Sequence, residues 1–165
     1  MASVLVLAGC GSDPATADRL ALEQPDAGYL EVELPTFDGG SFTLADVGGR
    51  PAVVNFFASW CAPCVSEMPA FEAVKSAVGD EVAFVGINVQ DRIEDGAALI
   101  ERTGITWQIA RDPDGELVRA VGGVGMPTTV LLDADGAIVE LRTGALGQDQ
   151  LGDLLREHFG VEVPP

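Results

Sequence analysis

Two nearly uninterrupted apolar runs restrict the fold of this chain more than any other feature: "PAVVNFFA" at residues 51–58 and "EVAFVGINV" at 81–89. A strand with one wet face alternates apolar and polar residues. These runs do not, so both of their faces must be covered, as happens to the inner strands of a sheet with helices on either side. Between them Val65, Met68, Phe71, Val74 and Val78 recur at helical spacing, and Gly79 is placed to end a helix over 62–78.

The punctuation stays regular further on. "IEDGAALIERTG" predicts a second helix closed by Gly104, "ITWQIA" a short strand, "DPDG" a turn and "ELVRAV" a short helix. "TTVLLD", a tight "ADG" turn and the alternating "AIVELR" predict a hairpin, and a last helix carries Leu151, Leu154, Leu155 and Phe159 with Gly160 as its cap. Upstream, "YLEVEL" and "SFTL" flank Asp38-Gly39-Gly40 and predict an N-terminal hairpin. The sum is an α/β sandwich around a mixed sheet, one domain over residues 29–163 with no internal repeat.

Charge narrows the partners. With 26 Asp and Glu against nine Lys and Arg, the net charge is −17. Such a surface repels phosphate backbones, so nucleic acid is excluded as a partner, and it repels anionic lipid head groups as well. No run reaches the roughly 18–20 apolar residues of a membrane-spanning helix.

The three cysteines, Cys10, Cys61 and Cys64, are too few for a disulfide scaffold. Cys10 ends "LAGC" after the apolar stretch Val4 to Ala8, which resembles the lipobox of bacterial lipoproteins, whose cysteine is lipidated. No Lys or Arg precedes that stretch and it is short, so residues 1–10 read as a truncated lipoprotein signal. Residues 11–28, rich in Asp, Ala, Gly and Pro, read as a flexible acidic tether. The alternative is a short strand with an ordinary buried cysteine.

Cys61 and Cys64 stand two residues apart, in "WCAPC", where the first buried strand gives way to its helix. Zinc wants four ligands, and beyond this pair only Cys10 and the single histidine, His158, are available. Haem attachment needs histidine after the second cysteine, and Val65 stands there. A redox pair fits: the helix's opening N–H groups and its positive dipole end favour a thiolate at Cys61, with Cys64 one turn in to resolve a mixed disulfide. Pro63 suits a first helical turn, and Trp60 gives the sulfur an apolar shoulder. Glu67 falls in the apolar stripe with Phe71, Val74 and Val78, so its carboxylate is expected to be partly desolvated, with a raised pKa suited to exchanging protons with Cys64. The competing reading is a helix-surface Glu, because Pro69 kinks the helix and blurs that phase. His158 reads as a structural cation near the end of the last helix, and "DPDG" and "DADG" as turns, because they lack the rest of a calcium loop.

"WCAPCVSEMP" resembles the active site of the thioredoxin superfamily, in its membrane-tethered extracytoplasmic branch of TlpA/ResA/DsbE-like proteins, and the similarity spans residues 29–160. The resemblance implies a thioredoxin-like sandwich with an extra α/β insertion, here residues 91–110, between its central strands. It implies that Pro127, after Met126 in "VGGVGMPTTV", follows a cis peptide bond, faces the cysteines and helps bind substrate. Asn55 stands where cytoplasmic thioredoxins carry a buried aspartate, while Glu67 matches the branch's own acidic position. The implied activity is extracytoplasmic thiol–disulfide exchange with exported proteins, such as apocytochrome c, recycled by a membrane redox partner. It requires no cofactor beyond the two sulfurs. The absence of histidine between the cysteines favours a reductant over an oxidant. Two rivals stand beside it. A peroxiredoxin-like peroxidase would place Pro and Thr ahead of its cysteine, where this chain has "FFASWC". A copper-binding assembly factor of this fold generally spaces its cysteines by three and adds a histidine.

Overall fold

A computed structural model describes residues 27–164. The 3-10 turn Ala27–Glu31 leads into a small hairpin of β1 (Leu34–Pro35) and β2 (Ser41–Phe42). Then come β3 (Ala52–Phe57), α1 (Ala62–Val78), β4 (Ala83–Val89), α2 (Ile93–Thr103) and β5 (Gln108–Asp112). The chain ends with α3 (Glu116–Ala120), β6 (Thr128–Leu132), β7 (Ile138–Thr143) and α4 (Gln148–Phe159).

Five strands form the central sheet in the order β5-β4-β3-β6-β7, with β3, β4 and β5 parallel and β6 and β7 antiparallel. Every residue of β3, β4 and β6 is buried, as expected of strands that are mostly apolar and carry only Asn55, Asn88, Thr128 and Thr129 as polar residues. One face of the sheet, with Val53, Phe57, Phe84 and Leu131, packs against Phe71 of α1, Leu99 of α2 and Leu151 and Leu155 of α4. The other, with Val54, Phe56, Val85 and Val130, is covered by Tyr29, Leu34, Leu44 and Leu117. Gly86 in β4 leaves room for its neighbours: a Cβ there would lie 2.6 Å from Ile109 Cδ1 and 3.0 Å from the Phe57 ring, so these would have to shift. That space is taken up by Trp107, whose ring centroid lies 5.8 Å from Phe71 and 6.2 Å from Phe84.

Gly104 and Gly160 end α2 and α4 in the left-handed conformation, donating their N–H groups back to Ile100 and Arg156. Four expectations need correction. The first hairpin strand is not "YLEVEL": Tyr29 is drawn into the core, its hydroxyl donating to the Gly136 carbonyl at 2.8 Å, so Ala27–Glu31 coils and only Leu34–Pro35 pairs. The "ITWQIA" strand is shifted to Gln108–Asp112, since Trp107 turns into the aromatic cluster before pairing begins. Strand β7 does not alternate; as the sheet edge it is half-buried from Ile138 to Leu141 and exposed at its end. Val65 is only partly buried, the inner face of α1 being Cys64, Glu67, Met68, Phe71, Val74 and Val78. The α2–β5 segment is the expected insertion between β4 and β6. Of the expected tether, Ala27 and Gly28 belong to the opening 3-10 turn; the remainder, and Cys10, lie outside the described residues.

Candidate active site

Cys61 is the N-cap of α1, and Cys61 and Cys64 are joined by a disulfide with S–S 2.01 Å. The Cys64 amide donates to Cys61 Sγ at 3.3 Å, the arrangement in which a helix's first free N–H groups stabilise charge on a capping sulfur. Pro63 lies in the first turn, where its missing N–H removes no helical bond. Both cysteines belong to the buried apolar cluster that includes Ala58, Met68 and Phe71. Cys61 is less accessible than the sequence suggests: in the oxidised form it is 5% exposed and Cys64 is fully buried. The adjoining Trp60 is 61% exposed, and among the described residues Val124 and Ile93 are the other large apolar side chains that protrude.

The Met126–Pro127 peptide is cis. Phe56 of β3 pairs with Thr128, so the residues just before β6 run beside the chain leading from β3 to the cysteines. Met126 packs against the apolar cluster that contains Cys61 and Cys64. Pro127 is buried, and its carbonyl accepts from Gly144 N at 2.9 Å. The structure therefore brings Trp60, Cys61, Pro63, Cys64, Met126 and Pro127 to one end of the sheet.

Glu67 lies inside the protein, 3% exposed, despite Pro69 two residues on. Asn55 Nδ2 donates to Oε1 at 2.8 Å and the Leu146 amide donates to Oε2 at 2.9 Å. Burial pushes the carboxyl above its usual value, and those two hydrogen bonds, which favour the ionised form, hold it back in part. Asn55 also reaches Thr129 Oγ1 at 3.3 Å, while its own Oδ1 has no partner among the described residues. Leu146 and Thr129 were invisible in the sequence reading, the first because it contributes a backbone N–H, the second because it is a sheet neighbour of Asn55. His158 lies away from the pair, its Nε2 3.2 Å from Glu140 Oε2. Among the described residues, no three His, Cys, Asp or Glu side chains gather as a metal site.

The model of the AhpC/TSA family matches residues 28–141, well over half of the chain. Among curated relatives, the DsbE thiol:disulfide interchange protein of Xylella fastidiosa is 32% identical over 142 residues, covering 84% of this chain and 70% of its own. The ResA thiol-disulfide oxidoreductase of Oceanobacillus iheyensis is 32% identical over 124 residues, 73% of this chain and 63% of that one. Among solved structures, a secreted Mycobacterium tuberculosis disulfide oxidoreductase homologous to DsbE superposes with TM-score 0.70 at 26% identity, over 78% of this chain and 97% of that one. StoA from Bacillus subtilis gives 0.62 at 26% identity, over 72% and 91%. A CxxC disulfide at the mouth of a thioredoxin-like sheet, together with similarity to relatives named for thiol–disulfide exchange, settles the assignment: the chain belongs to the thioredoxin-like AhpC/TSA family and is a protein thiol–disulfide oxidoreductase.

Proposed function

We propose that this protein works outside the cytoplasm, as a reductant of disulfides in exported proteins, the haem-binding cysteines of apocytochrome c among the candidate targets. In each turnover the Cys61 thiolate attacks one sulfur of the substrate disulfide, and the other sulfur leaves as a thiolate. Cys64 then attacks Cys61 Sγ, freeing the second substrate thiol and closing the Cys61–Cys64 disulfide. Two electrons pass from the protein to the substrate, and Glu67 takes the proton of Cys64 as it becomes nucleophilic. Trp60 and Pro63 flank the docked chain, and the Met126 backbone beside Pro127 receives it. No cofactor enters this scheme; a membrane redox partner returns two electrons to the oxidised pair, and lipidation of Cys10 holds the domain at the membrane.

The observation that carries the reading is the disulfide at the opening of α1, with Cys61 as the helix cap, and the buried Glu67 one turn beyond Cys64. The description of one structural neighbour as secreted supports the location. Ala62-Pro63 between the cysteines, without histidine, supports the direction. The deciding experiment is the reduction potential: a value near about −270 mV marks a reductant, and one near about −120 mV an oxidant and the end of this proposal. Mass spectrometry of protein purified from membranes tests Cys10; an unmodified cysteine refutes the anchor.

A further inference from the structure

The turn that delivers Cys61 is held by a loop from another strand. Ala58–Cys61 is a tight turn closed by Cys61 N donating to the Ala58 carbonyl at 3.2 Å. Such a turn leaves the Ser59 N–H without a backbone partner, and β3 has already ended at Phe57. Asp91 supplies the partner. Its Oδ2 accepts from Ser59 N at 2.6 Å and its Oδ1 from Ser59 Oγ at 2.7 Å. One residue further, the indole N–H of Trp60 donates to the Gln90 carbonyl at 3.3 Å.

The loop is itself built for this grip. Gln90 is the only non-glycine residue of positive φ (46°) among the described residues. That conformation is unfavourable for a side chain and persists only where the surroundings enforce it. Here Gln90 N is fixed to the Asp112 carbonyl at 3.0 Å, so the reversal comes after β4 and brings Asp91 back over the end of β3. Asn88 Nδ2 at 2.9 Å and Arg92 N at 3.0 Å complete the coordination of the Asp91 carboxylate. Burial alone would raise this carboxyl, but the bonds from Asn88, Ser59 and Arg92 outweigh it and hold it below the usual carboxylate value.

We infer that Gln90 and Asp91 form a positioning clamp for the nucleophile: by fixing Ser59 and Trp60 they hold Cys61 Sγ against the opening N–H groups of α1. The inference rests on Cys61 being the attacking sulfur. It gives the α2–β5 insertion a part in the chemistry, because the insertion begins at this corner. Asp91 does not touch the reacting atoms and acts only through the turn.

The geometry makes a prediction whose sign separates positioning from simple charge. Besides Cys61 itself, the ionisable groups are Cys64 and Glu67 in residues 58–70, Asp91, Arg92, Glu94 and Asp95 in residues 90–96, and Asp112 and Asp114 in residues 112–115. Residues 122–127 and 143–148 contribute none. Deleting a neighbouring negative charge, by itself, lowers the titration midpoint of a thiol. Releasing the turn takes the sulfur away from its N–H donors and raises it. In the reduced protein, Asp91→Ala is therefore expected to raise the Cys61 midpoint and to slow attack on a peptide disulfide by about tenfold, a loss typical of small misplacements. Asp91→Asn keeps an oxygen for Ser59 and is expected to recover most of the rate. Ser59→Ala, a mild change that leaves the backbone bond, shifts both readouts less, and its effect is not additive with that of Asp91→Ala.

A lowered midpoint or an unchanged rate in Asp91→Ala overturns the clamp, as does full additivity of the two variants. Should Asp91→Ala fail to fold, Ser59→Ala decides: a wild-type rate and midpoint in that variant overturn it. Exchange that survives in Cys61→Ser refutes instead the assignment of the attacking sulfur, a different failure seen in a different protein.

Discussion

Replacing Asn55 by Ala should destabilise the oxidised protein by an amount that depends on pH, and the structure fixes both size and sign. Asn55 Nδ2 is one of two donors to the buried Glu67 carboxylate. A hydrogen bond to an ionised partner contributes about 1.5–3 kcal/mol, and one to a neutral partner about 0.5–1.5 kcal/mol. With Glu67 ionised the substitution should cost about 2 kcal/mol; with Glu67 protonated, about half of that. Because its folded pKa already lies above the ordinary 4.5, this group's contribution to stability is fully present below 4.5 and is lost as pH rises through the folded value. Removing the donor raises that pKa further, so the loss in Asn55→Ala should be steeper. Urea unfolding of the disulfide form at pH 4 and pH 8, followed by circular dichroism, measures both free energies. In thermal melts the pH 8 cost corresponds to roughly 4–8 °C. An equal cost at the two pH values would mean that the Asn55–Glu67 contact is packing only, and the argument for a proton-competent Glu67 would fail.

Other substitutions test other parts of the structure. Glu67→Gln retains the shape, and reversal of the Asn55 amide lets Oδ1 accept from the new side chain; the fold should persist while resolution of mixed disulfides slows by about 100-fold and the thiol titration shifts. Unchanged stopped-flow kinetics and titration would remove Glu67 from the mechanism. Gly86→Ala forces a Cβ against Ile109 and the Phe57 ring and should cost about 1–3 kcal/mol in urea unfolding. Asp112→Ala removes a buried carboxylate that accepts from Glu116 N at 2.7 Å and Val118 N at 3.0 Å, so a loss of about 3 kcal/mol is expected, with α3 losing hydrogen-exchange protection first.

What could be read in the sequence was what local periodicity encodes. The inner strands were legible because a surface covered on both sides admits no polar alternation, and Asn55, the one polar residue of β3, is the one that meets Glu67. Glu67 itself was legible from its phase on α1, and Pro69 did not disturb that phase. The helix ends were legible at Gly104 and Gly160, where φ of 65° and 67° suits glycine. The failures came from contacts between residues far apart in the chain. Tyr29 leaves its strand for a bond 107 residues away, and no local pattern announces that. Ser59 and Asp91 are 32 residues apart, and neither looks unusual among its neighbours. The burial of Cys61 comes with its place in an apolar cluster drawn from the sheet and several helices, which its position at the start of a helix does not announce.

The two tryptophans of the chain sit in opposite surroundings: Trp60 is largely in solvent beside the disulfide, while Trp107 is enclosed between Phe71 and Phe84. A disulfide quenches the emission of a neighbouring indole, whereas enclosure by aromatic rings keeps the other emission blue until the core opens. The unlabelled molecule thus carries two separable optical reporters. Brightening at long wavelength follows electrons arriving at the sulfurs, and a red shift of the remaining band follows loss of structure.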